Sequence, residues 1–360
     1  MLKKYFILNL ILFIFAFEAI SQSVEMKCPH PDTTKALAAA NAGKKMMRTD
    51  IKGAIRSTNE AKNIYISIKC WEQAVKTSYN LYVMYSMAKE PARAASELKY
   101  AQRTVQKLPD ESRWKGKITH VTGESYMRKM SLDTARMYLL KAKVLLKMSE
   151  AWKEYVDACR TLAQVAYYEQ NYRLMERYLN EGFETTKDQL NNNQTQIRSI
   201  LQLYGALYYR TGDYETALEK SLEGLDIVLK SMNNRRDTTF VASYYNNIGL
   251  FYIETGDVAK AEDYCNNALN LSLKLNDNYK AATINLNLAE FFYNKKQYGK
   301  AYYYYNKSLD ILNLISKLDA NQSDIDRTFI QINMGKARAA YEIDKKEEAF
   351  EALELNLKRH

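Results

Sequence analysis

Small side chains recur along this chain at an almost constant interval, and that interval constrains the fold more than any other feature. Seven alanines and one methionine occupy the recurring position, which falls at Ala54, Ala94, Ala135, Met175, Ala217, Ala261, Ala301 and Ala349. Successive members are 40 to 48 residues apart. A period in this range is typical of a solenoid, in which each repeat buries its apolar face only against its neighbours. Because the core of a solenoid grows with every repeat, a chain of 360 residues can form one continuous array.

The segment 201–227 shows the repeating unit most clearly. Apolar and small residues recur there at offsets of three and four in two groups, which predicts two amphipathic helices. Gly212 can adopt the left-handed conformation that ends the first helix, and Asp213 can cap the second. Gly205 and Ala217 are small where the helices would cross, so we expect a hairpin with a close helix–helix contact.

This pattern resembles the tetratricopeptide repeat. Gly205, Tyr208 and Ala217 match the family pattern directly, whereas Leu201 replaces its leading tryptophan and its closing proline is absent. The same spacing returns in three further copies, at Gly123, Tyr126 and Ala135, at Gly249, Tyr252 and Ala261, and at Ala289, Phe292 and Ala301. The resemblance implies an all-α fold, a right-handed α-solenoid of about eight helical hairpins, which we place at residues 36–360.

Members of this family use the first helices of successive repeats to line a concave groove that binds a protein or peptide. Such a groove would lie on the face opposite the small-residue contact and would suit an extended peptide or a helix. That face predicts the following groove residues: Tyr79, His120, Met127, Arg128, Arg160, Gln164, Tyr167, Gln202, Tyr209, Arg210, Asn246, Glu290, Tyr293 and Asn294. On the opposite, outer face of the array, Tyr303 and Tyr304 are predicted to form an aromatic patch, with Tyr302 and Tyr305 facing inward.

Charge is distributed unevenly along the chain. The formal net charge is +10, and residues 22–200 carry 30 Lys and Arg against 19 Asp and Glu. Residues 201–360 carry 20 against 22. This asymmetry favours an acidic partner along the first half, although a solvated basic surface would give the same composition. The sequence contains no nucleic-acid recognition motif, and with the export signal described next this argues against nucleic acid as a partner.

The first residues have the pattern of a secretory signal peptide. Lys3 and Lys4 precede an apolar run from residue 5 to 17, and Ala19 and Ser21 have the spacing of a signal-peptidase site. We therefore predict a signal peptide at residues 1–21, an irregular leader at 22–35, and an exported, periplasmic or secreted protein without a permanent membrane span. An uncleaved anchor is the alternative, but the apolar run is shorter than the roughly 20 residues of a spanning helix.

The cysteines and histidines point to structure rather than catalysis. Cys28 and Cys70 each directly precede the first helix of a repeat, and these helices should lie side by side, so we predict a disulfide between them in an oxidising compartment. Cys159 and Cys265 lie on apolar helix faces, as buried cysteines do. No histidine has a second ligand at metal spacing, and no phosphate loop, zinc helix motif or nucleophile elbow occurs. We expect no enzymatic activity, no metal and no cofactor.

The last helix, predicted near residues 346–358, has more apolar residues than one face can bury. We expect Ala349 and Leu353 to pack on the preceding helix, and Phe350 or Leu357 to stay near the open end of the array. This end is expected to be covered by a partner, by a second copy, or by sequence beyond this chain, unless the last turn is simply exposed.

Two functions remain: an exported scaffold that binds a protein or peptide in its groove, or a sensory input module truncated before a membrane helix and an output domain.

Overall fold

A computed structural model describes residues 28–232, 235–315 and 322–357, and within these ranges the chain forms sixteen α-helices. It divides into two compact units, with the boundary between Gln196 and Ile197. The helices of the first unit are α1 Asp32–Met46, α2 Ile51–Ser67, α3 Trp71–Met87, α4 Pro91–Thr104, α5 Arg113–Arg128, α6 Leu132–Met148, α7 Trp152–Tyr168 and α8 Tyr172–Gln189. A short 3₁₀ helix, Val105–Lys107, follows α4.

The second unit repeats the same order of helices. They are α9 Gln194–Thr211, whose first turn belongs to the first unit, α10 Tyr214–Ser231, α11 Arg235–Thr255, α12 Val258–Lys274, α13 Asn278–Asn294, α14 Tyr298–Asn313, α15 Gln322–Glu342 and α16 Lys346–Leu357. The all-α fold and the helical hairpins predicted from the sequence are confirmed. The signal peptide predicted at residues 1–21 lies outside the described residues.

The predicted irregular leader ends earlier than expected. Helix α1 begins at Asp32, inside the segment predicted to be irregular up to residue 35. Pro31 precedes it with φ −52°, a value that suits a helix start. The hydroxyl of Thr33 is buried and donates a hydrogen bond of 3.0 Å to the carbonyl oxygen of Cys28. These local interactions stabilise the first turn, and residues 22–27 lie outside the described part.

The recurring small residues mark the second helix of every hairpin. The eight positions lie in the even-numbered helices α2 to α16, and each is at most 7% exposed. At the crossing in the fifth hairpin, a Cβ atom on Gly205 would lie 2.5 Å from Oγ of Ser221. A Cβ atom on Gly249 would lie 2.5 Å from Sγ of Cys265 in the sixth hairpin. Glycine thus allows the first helix to approach the second closely.

The turn between α9 and α10 has the predicted chemistry. Gly212 has φ +84°, in the left-handed region, and the carboxylate of Asp213 accepts a hydrogen bond of 3.1 Å from the backbone N–H of Thr216. Gly256 and Asp257 repeat this arrangement between α11 and α12. Elsewhere residues with side chains occupy the left-handed position, for example Met130 with φ +58°, so the turn geometry is retained without glycine.

Successive hairpins pack through two kinds of contact. The second helix of one hairpin packs on the first helix of the next, as α6 does on α7 and α10 on α11. First helices also contact the next first helix, as α5 does α7 and α11 does α13. Within each unit, these contacts create a layer of odd-numbered helices, called the inner layer here, and a layer of even-numbered helices, called the outer layer. No helix within the described residues is long and apolar enough to cross a membrane.

Two local predictions on the last two hairpins need correction. Tyr303 is 54% exposed on the outer layer as predicted, but Tyr304 is only 8% exposed. The ring of Tyr304 stacks on Phe292, and its hydroxyl donates a hydrogen bond of 2.9 Å to Glu262 on α12. The predicted patch of two tyrosines is therefore wrong for Tyr304, because Phe292 of the same hairpin covers its ring and Glu262 of the preceding hairpin binds its hydroxyl.

The packing of α16 also differs from the prediction in one residue. Ala349 and Ala352 are buried against Ala337 and Ala340 of α15, whereas Leu353 is 48% exposed. Alanine permits the close approach of α15 and α16. Because Ala349 and Ala352 form the buried face of α16, Leu353 lies on its exposed side. The two residues predicted to stay near the open end, Phe350 and Leu357, are 71% and 77% exposed.

Candidate functional site

In the first unit the predicted groove residues belong largely to the packed inner layer. Arg128 is exposed, but the other six are buried: Tyr79, His120, Met127, Arg160, Gln164 and Tyr167. The prediction that these six side chains are open to a partner is wrong. Helices α3, α5 and α7 contact one another in sequence, and side chains at their contacts are covered by the next helix.

A buried ionic cluster joins α5 to α7. Glu154 accepts a hydrogen bond of 2.9 Å from Nε of Arg113, and its carboxylate lies 3.8 Å from Nζ of Lys117. The Lys117 ammonium also lies 4.8 Å from the ring centroid of Tyr79 and 5.3 Å from that of Trp114. Burial lowers the pKa of Lys117 to about 8, although Glu154 opposes this shift. The cluster is a covered charge network that fixes α5 against α7.

A second polar cluster continues along the same two helices. Nε2 of His120 lies 2.9 Å from the hydroxyl oxygen of Thr161. Arg160 donates a hydrogen bond of 2.8 Å to Asp157, and Gln196 donates a longer one of 3.4 Å to the same oxygen. Burial raises the pKa of Asp157, while Arg160 and His120 favour its ionised form. The polar atoms of these groups form hydrogen bonds mainly with one another, which indicates a structural role.

At the exposed edge of this layer, Arg128 on α5 donates a hydrogen bond of 2.8 Å to the Tyr82 hydroxyl on α3. Tyr82 is half-buried, and its ring lies 6.2 Å from that of Tyr79 between centroids. The pair presents a cation and an aromatic ring next to each other on the inner face. Arg128 is thus the predicted groove residue of the first unit that the structure leaves accessible.

In the second unit the predicted residues are more accessible. Gln202, Tyr209, Arg210, Asn246, Glu290 and Tyr293 are half-buried, and Asn294 is exposed. The hydroxyl of Tyr209 on α9 donates a hydrogen bond of 3.0 Å to Glu254 on α11, and its ring lies 5.4 Å from Phe251. Burial and the Glu254 carboxylate raise the pKa of Tyr209 well above its ordinary value. Tyr209 therefore acts as a neutral hydrogen-bonding group.

A similar arrangement joins α13 to α15. The guanidinium of Arg338 lies 3.3 Å from a carboxylate oxygen of Glu290 and 5.0 Å from the ring centroid of Tyr293. Arg338 has a half-exposed side chain. The inner layer of the second unit therefore presents aromatic rings bordered by an acid and a base. This combination can stack on apolar side chains and pair with backbone amides of a bound segment.

Several of these residues were not predicted from the sequence. Lys117 lies three residues before His120, and Asp157 lies three before Arg160, so helical spacing alone places them on the predicted face. Tyr82 and Arg338 carried no such signal, since their partners lie 46 and 48 residues away. Only the packing of successive repeats brings them together.

The cysteines divide into a bonded pair and two buried thiols. Cys28 and Cys70 form a disulfide, with Cα atoms 6.0 Å apart. Cys159 and Cys265 are fully buried, and burial raises the pKa of both thiols to about 12. Thiols with such a pKa are poor nucleophiles. No group of three or more His, Cys, Asp and Glu suited to a metal ion occurs within the described ranges.

Stacked helical hairpins with a polar and aromatic inner layer define a helical-repeat scaffold. Residues 240–314 match the family model described as tetratricopeptide repeat. For this segment the match confirms the tetratricopeptide repeat resemblance that the spacing of the small residues predicted. No curated protein matches the chain.

Three solved structures share the fold. A signal transduction ATPase with a tetratricopeptide repeat sensor from Pyrococcus horikoshii matches with a TM-score of 0.61 and 15% identity, over 92% of this chain and 54% of that chain. A Rap protein complexed with competence and sporulation factor matches with a TM-score of 0.56 and 13% identity, over 91% and 97%. The apo quorum sensor NprR from B. thuringiensis matches with a TM-score of 0.54 and 13% identity, over 90% and 98%. At these identities the likeness shows the fold alone.

Proposed function

We propose that this protein is an exported, non-catalytic scaffold that binds a peptide or a protein segment on the inner layer of its second unit. The observation that carries the proposal is the row of half-exposed aromatic and charged side chains on successive first helices. Tyr209, Tyr293 and Arg338 are its main members, with Glu254 and Glu290 as their partners. Groups of this kind, at the spacing of helical repeats, fit a segment that runs along several repeats.

The side chains on the inner layer of the second unit support a peptide or protein segment as the ligand. Tyrosine rings supply contact area at a small cost in conformational entropy, and their hydroxyls stay hydrogen-bonded. The acids and the guanidinium offer both acceptors and donors, which suits the amides and mixed side chains of a peptide. A Rap protein of the same fold was solved complexed with competence and sporulation factor, which supports the capacity of this architecture to hold such a ligand.

For the first unit we propose a separate contact with acidic residues of a partner. Residues 22–200 carry the excess of positive charge, and Arg128 is exposed on the inner face beside Tyr82. Arg160 is excluded from this role, since it is buried and paired with Asp157. Export is proposed on the basis of residues 1–21 alone, and N-terminal sequencing of protein recovered from the envelope tests it.

The binding proposal is tested with a displayed peptide library. Peptides selected on the purified protein are measured by fluorescence anisotropy against a Tyr209→Ala, Tyr293→Ala double variant. Losing two buried aromatic contacts is expected to weaken binding about a hundredfold. Tyr303→Ala is the matched control, since Tyr303 is an exposed tyrosine of the outer layer, and it should bind like the wild type. Equal affinity for all three proteins would overturn the proposal.

The second candidate function is a sensory input module. It is favoured by the structural match to an ATPase that has a tetratricopeptide repeat sensor, in which the match covers 54% of the other chain. Reading the gene beyond codon 360 tests this alternative. A membrane helix followed by an output domain would support it, and a stop codon there would exclude it.

A further inference from the structure

Helix α6 has a second apolar face that is largely exposed within the described residues. Its buried face includes Leu139, Ala142 and Leu146. On the solvent side, apolar residues recur at intervals of three, four and four, so they form one stripe. They are Met137, Leu140, Val144 and Met148, with exposed fractions of 58%, 40%, 59% and 49%. The neighbouring outer helices α4 and α8 have no large hydrophobic side chain with comparable exposure.

The border of this stripe is basic. Lys141 and Lys147 are exposed and lie on opposite sides of it, while the exposed Asp133, which pairs with Arg136, lies at its N-terminal end. An apolar seam at heptad-like spacing with charged residues along its edges is the pattern by which one helix pairs with another. The charge of the border therefore selects an acidic amphipathic helix as the complement.

Helix α16 has that complementary pattern. Its outward stripe consists of Phe350, Leu353 and Leu357, at intervals of three and four, with exposed fractions of 71%, 48% and 77%. Glu347 and Glu351 are exposed one turn apart along one border. The buried alanines of α16 hold the other face on α15, so the stripe remains available on a folded unit.

We propose that α16 of one copy docks on α6 of a second copy in a head-to-tail contact. Pairing α6 with α6 would set lysines against lysines, and pairing α16 with α16 would set glutamates against glutamates, both of which are repulsive. The unlike pair joins the apolar stripe of α6 to the shorter stripe of α16 and can place the glutamate border of α16 beside a lysine of α6. The net charge of each half of the chain is consistent with this pairing. Residues 22–200, which include α6, are basic, while residues 201–360, which include α16, carry 20 Lys and Arg against 22 Asp and Glu.

A contact between two different surfaces has consequences that a two-fold dimer lacks. Each copy offers both α6 and α16, so a second and a third copy can be added through the same contact. Heterologous contacts of this kind generate rings when the rotation closes and open chains when it does not. The assembly would therefore display the inner layers of several copies, which raises avidity for a partner with repeated segments.

The test uses charge reversal in the full chain, with sedimentation velocity as the readout. One variant carries Lys141→Glu and Lys147→Glu, and the other carries Glu347→Lys and Glu351→Lys. Each substitution set turns attraction at the border into repulsion, and each variant alone is expected to associate about a hundredfold more weakly than the wild type. A Lys99→Glu, Arg103→Glu variant is the matched control, because both residues are exposed on α4 and make the same change in charge.

Mixing the two reversed variants makes the test decisive. Their surfaces are again complementary between unlike chains, so the mixture is expected to associate when neither variant does so alone. A variant that merely misfolds would not recover in this way. The proposal is overturned if the wild type stays monomeric at every soluble concentration, if either reversed variant associates like the wild type, if the α4 control fails to associate, or if the mixture remains monomeric.

Discussion

Nζ of Lys280 on α13 donates a hydrogen bond of 2.8 Å to Oγ of Ser243 on α11. Lys280 is 6% exposed, and burial lowers its pKa from 10.5 to about 8, although Asp277 opposes the shift. A buried ammonium bound mainly by a hydroxyl is less stable than the same group in water. This lysine therefore makes the stability of the second unit depend on pH.

The sign of that dependence is fixed by linkage. Between pH 8 and pH 10.5 the unfolded chain holds the Lys280 proton while the folded protein has released it, so the free energy of unfolding gains from this group as pH rises. At pH 7 the folded state bears the full free-energy cost of burying the charged Lys280 ammonium. Lys280→Met is expected to raise the free energy of unfolding by about 1 to 3 kcal/mol at pH 7, and by less as pH rises above 8. Urea unfolding at several pH values measures the difference, with exposed Lys274→Met as the control. A gain that does not depend on pH would contradict this explanation.

The crossing of α11 and α12 requires glycine at position 249. An added Cβ would lie 2.5 Å from Sγ of Cys265 and 3.2 Å from its backbone nitrogen, so the helices would have to separate. Gly249→Ala is expected to lower the free energy of unfolding by about 1 to 3 kcal/mol. Gly299→Ala is the control, because nothing lies within 4 Å of the added methyl group. That substitution should be neutral or stabilising by up to about 1 kcal/mol, since alanine favours a helix. Equal midpoints in thermal unfolding would refute the steric explanation.

Arg198 and Asp237 form an ion pair of 2.8 Å in which both side chains are 6% exposed. Removing only the acid leaves a buried guanidinium without its counter-charge. Asp237→Ala is therefore expected to lower the free energy of unfolding by about 3 to 5 kcal/mol. The double variant Arg198→Met, Asp237→Leu should recover most of that loss, because neither charge then remains buried. If the double variant were no more stable than Asp237→Ala, the loss would come from packing rather than from the isolated charge.

The disulfide between Cys28 and Cys70 closes a loop with a sequence separation of 42 residues. Constraint of the unfolded chain by such a loop is expected to contribute about 2 to 4 kcal/mol. Peptide mapping without reductant should show the linked pair in protein from an oxidising compartment, and Cys28→Ser, Cys70→Ser should unfold at a lower temperature. Free thiols at both positions in periplasmic material would contradict the prediction.

The repeat unit could be predicted because its determinants are local. Gly212 and Asp213 specify a turn by their own conformational and hydrogen-bonding properties, and Gly205 faces the second helix of its own hairpin. The residues of a single hairpin supply all of this information. The architecture therefore followed from spacing within about 40 residues.

The accessible surface could not be predicted in the same way, because it depends on the neighbouring repeat. Arg160 has the helical position of a groove residue, but packing in the inner layer buries it beside Asp157. Tyr304 has the position of an outer residue, but Phe292 and Glu262 cover it. Glu262 lies 42 residues before Tyr304, and Arg160 is covered by packing between helices, so the helical pattern of one element does not contain the contacts that decide the exposure.

The apolar contact that holds α16 on α15 is built mainly from alanines, Ala349 and Ala352 against Ala337 and Ala340, and Asn356 adds hydrogen bonds with Asn333 and with the carbonyl oxygen of Ile330. Methyl groups bury little area each, and a buried CH₂ equivalent contributes only about 0.8 kcal/mol. The larger apolar side chains of this helix point away from α15. In a single copy, in which no second copy covers α16, thermal fluctuations should consequently release this helix long before they disturb the leucine- and tyrosine-rich interior, so its amide protons should exchange with solvent deuterium earliest among the described helices.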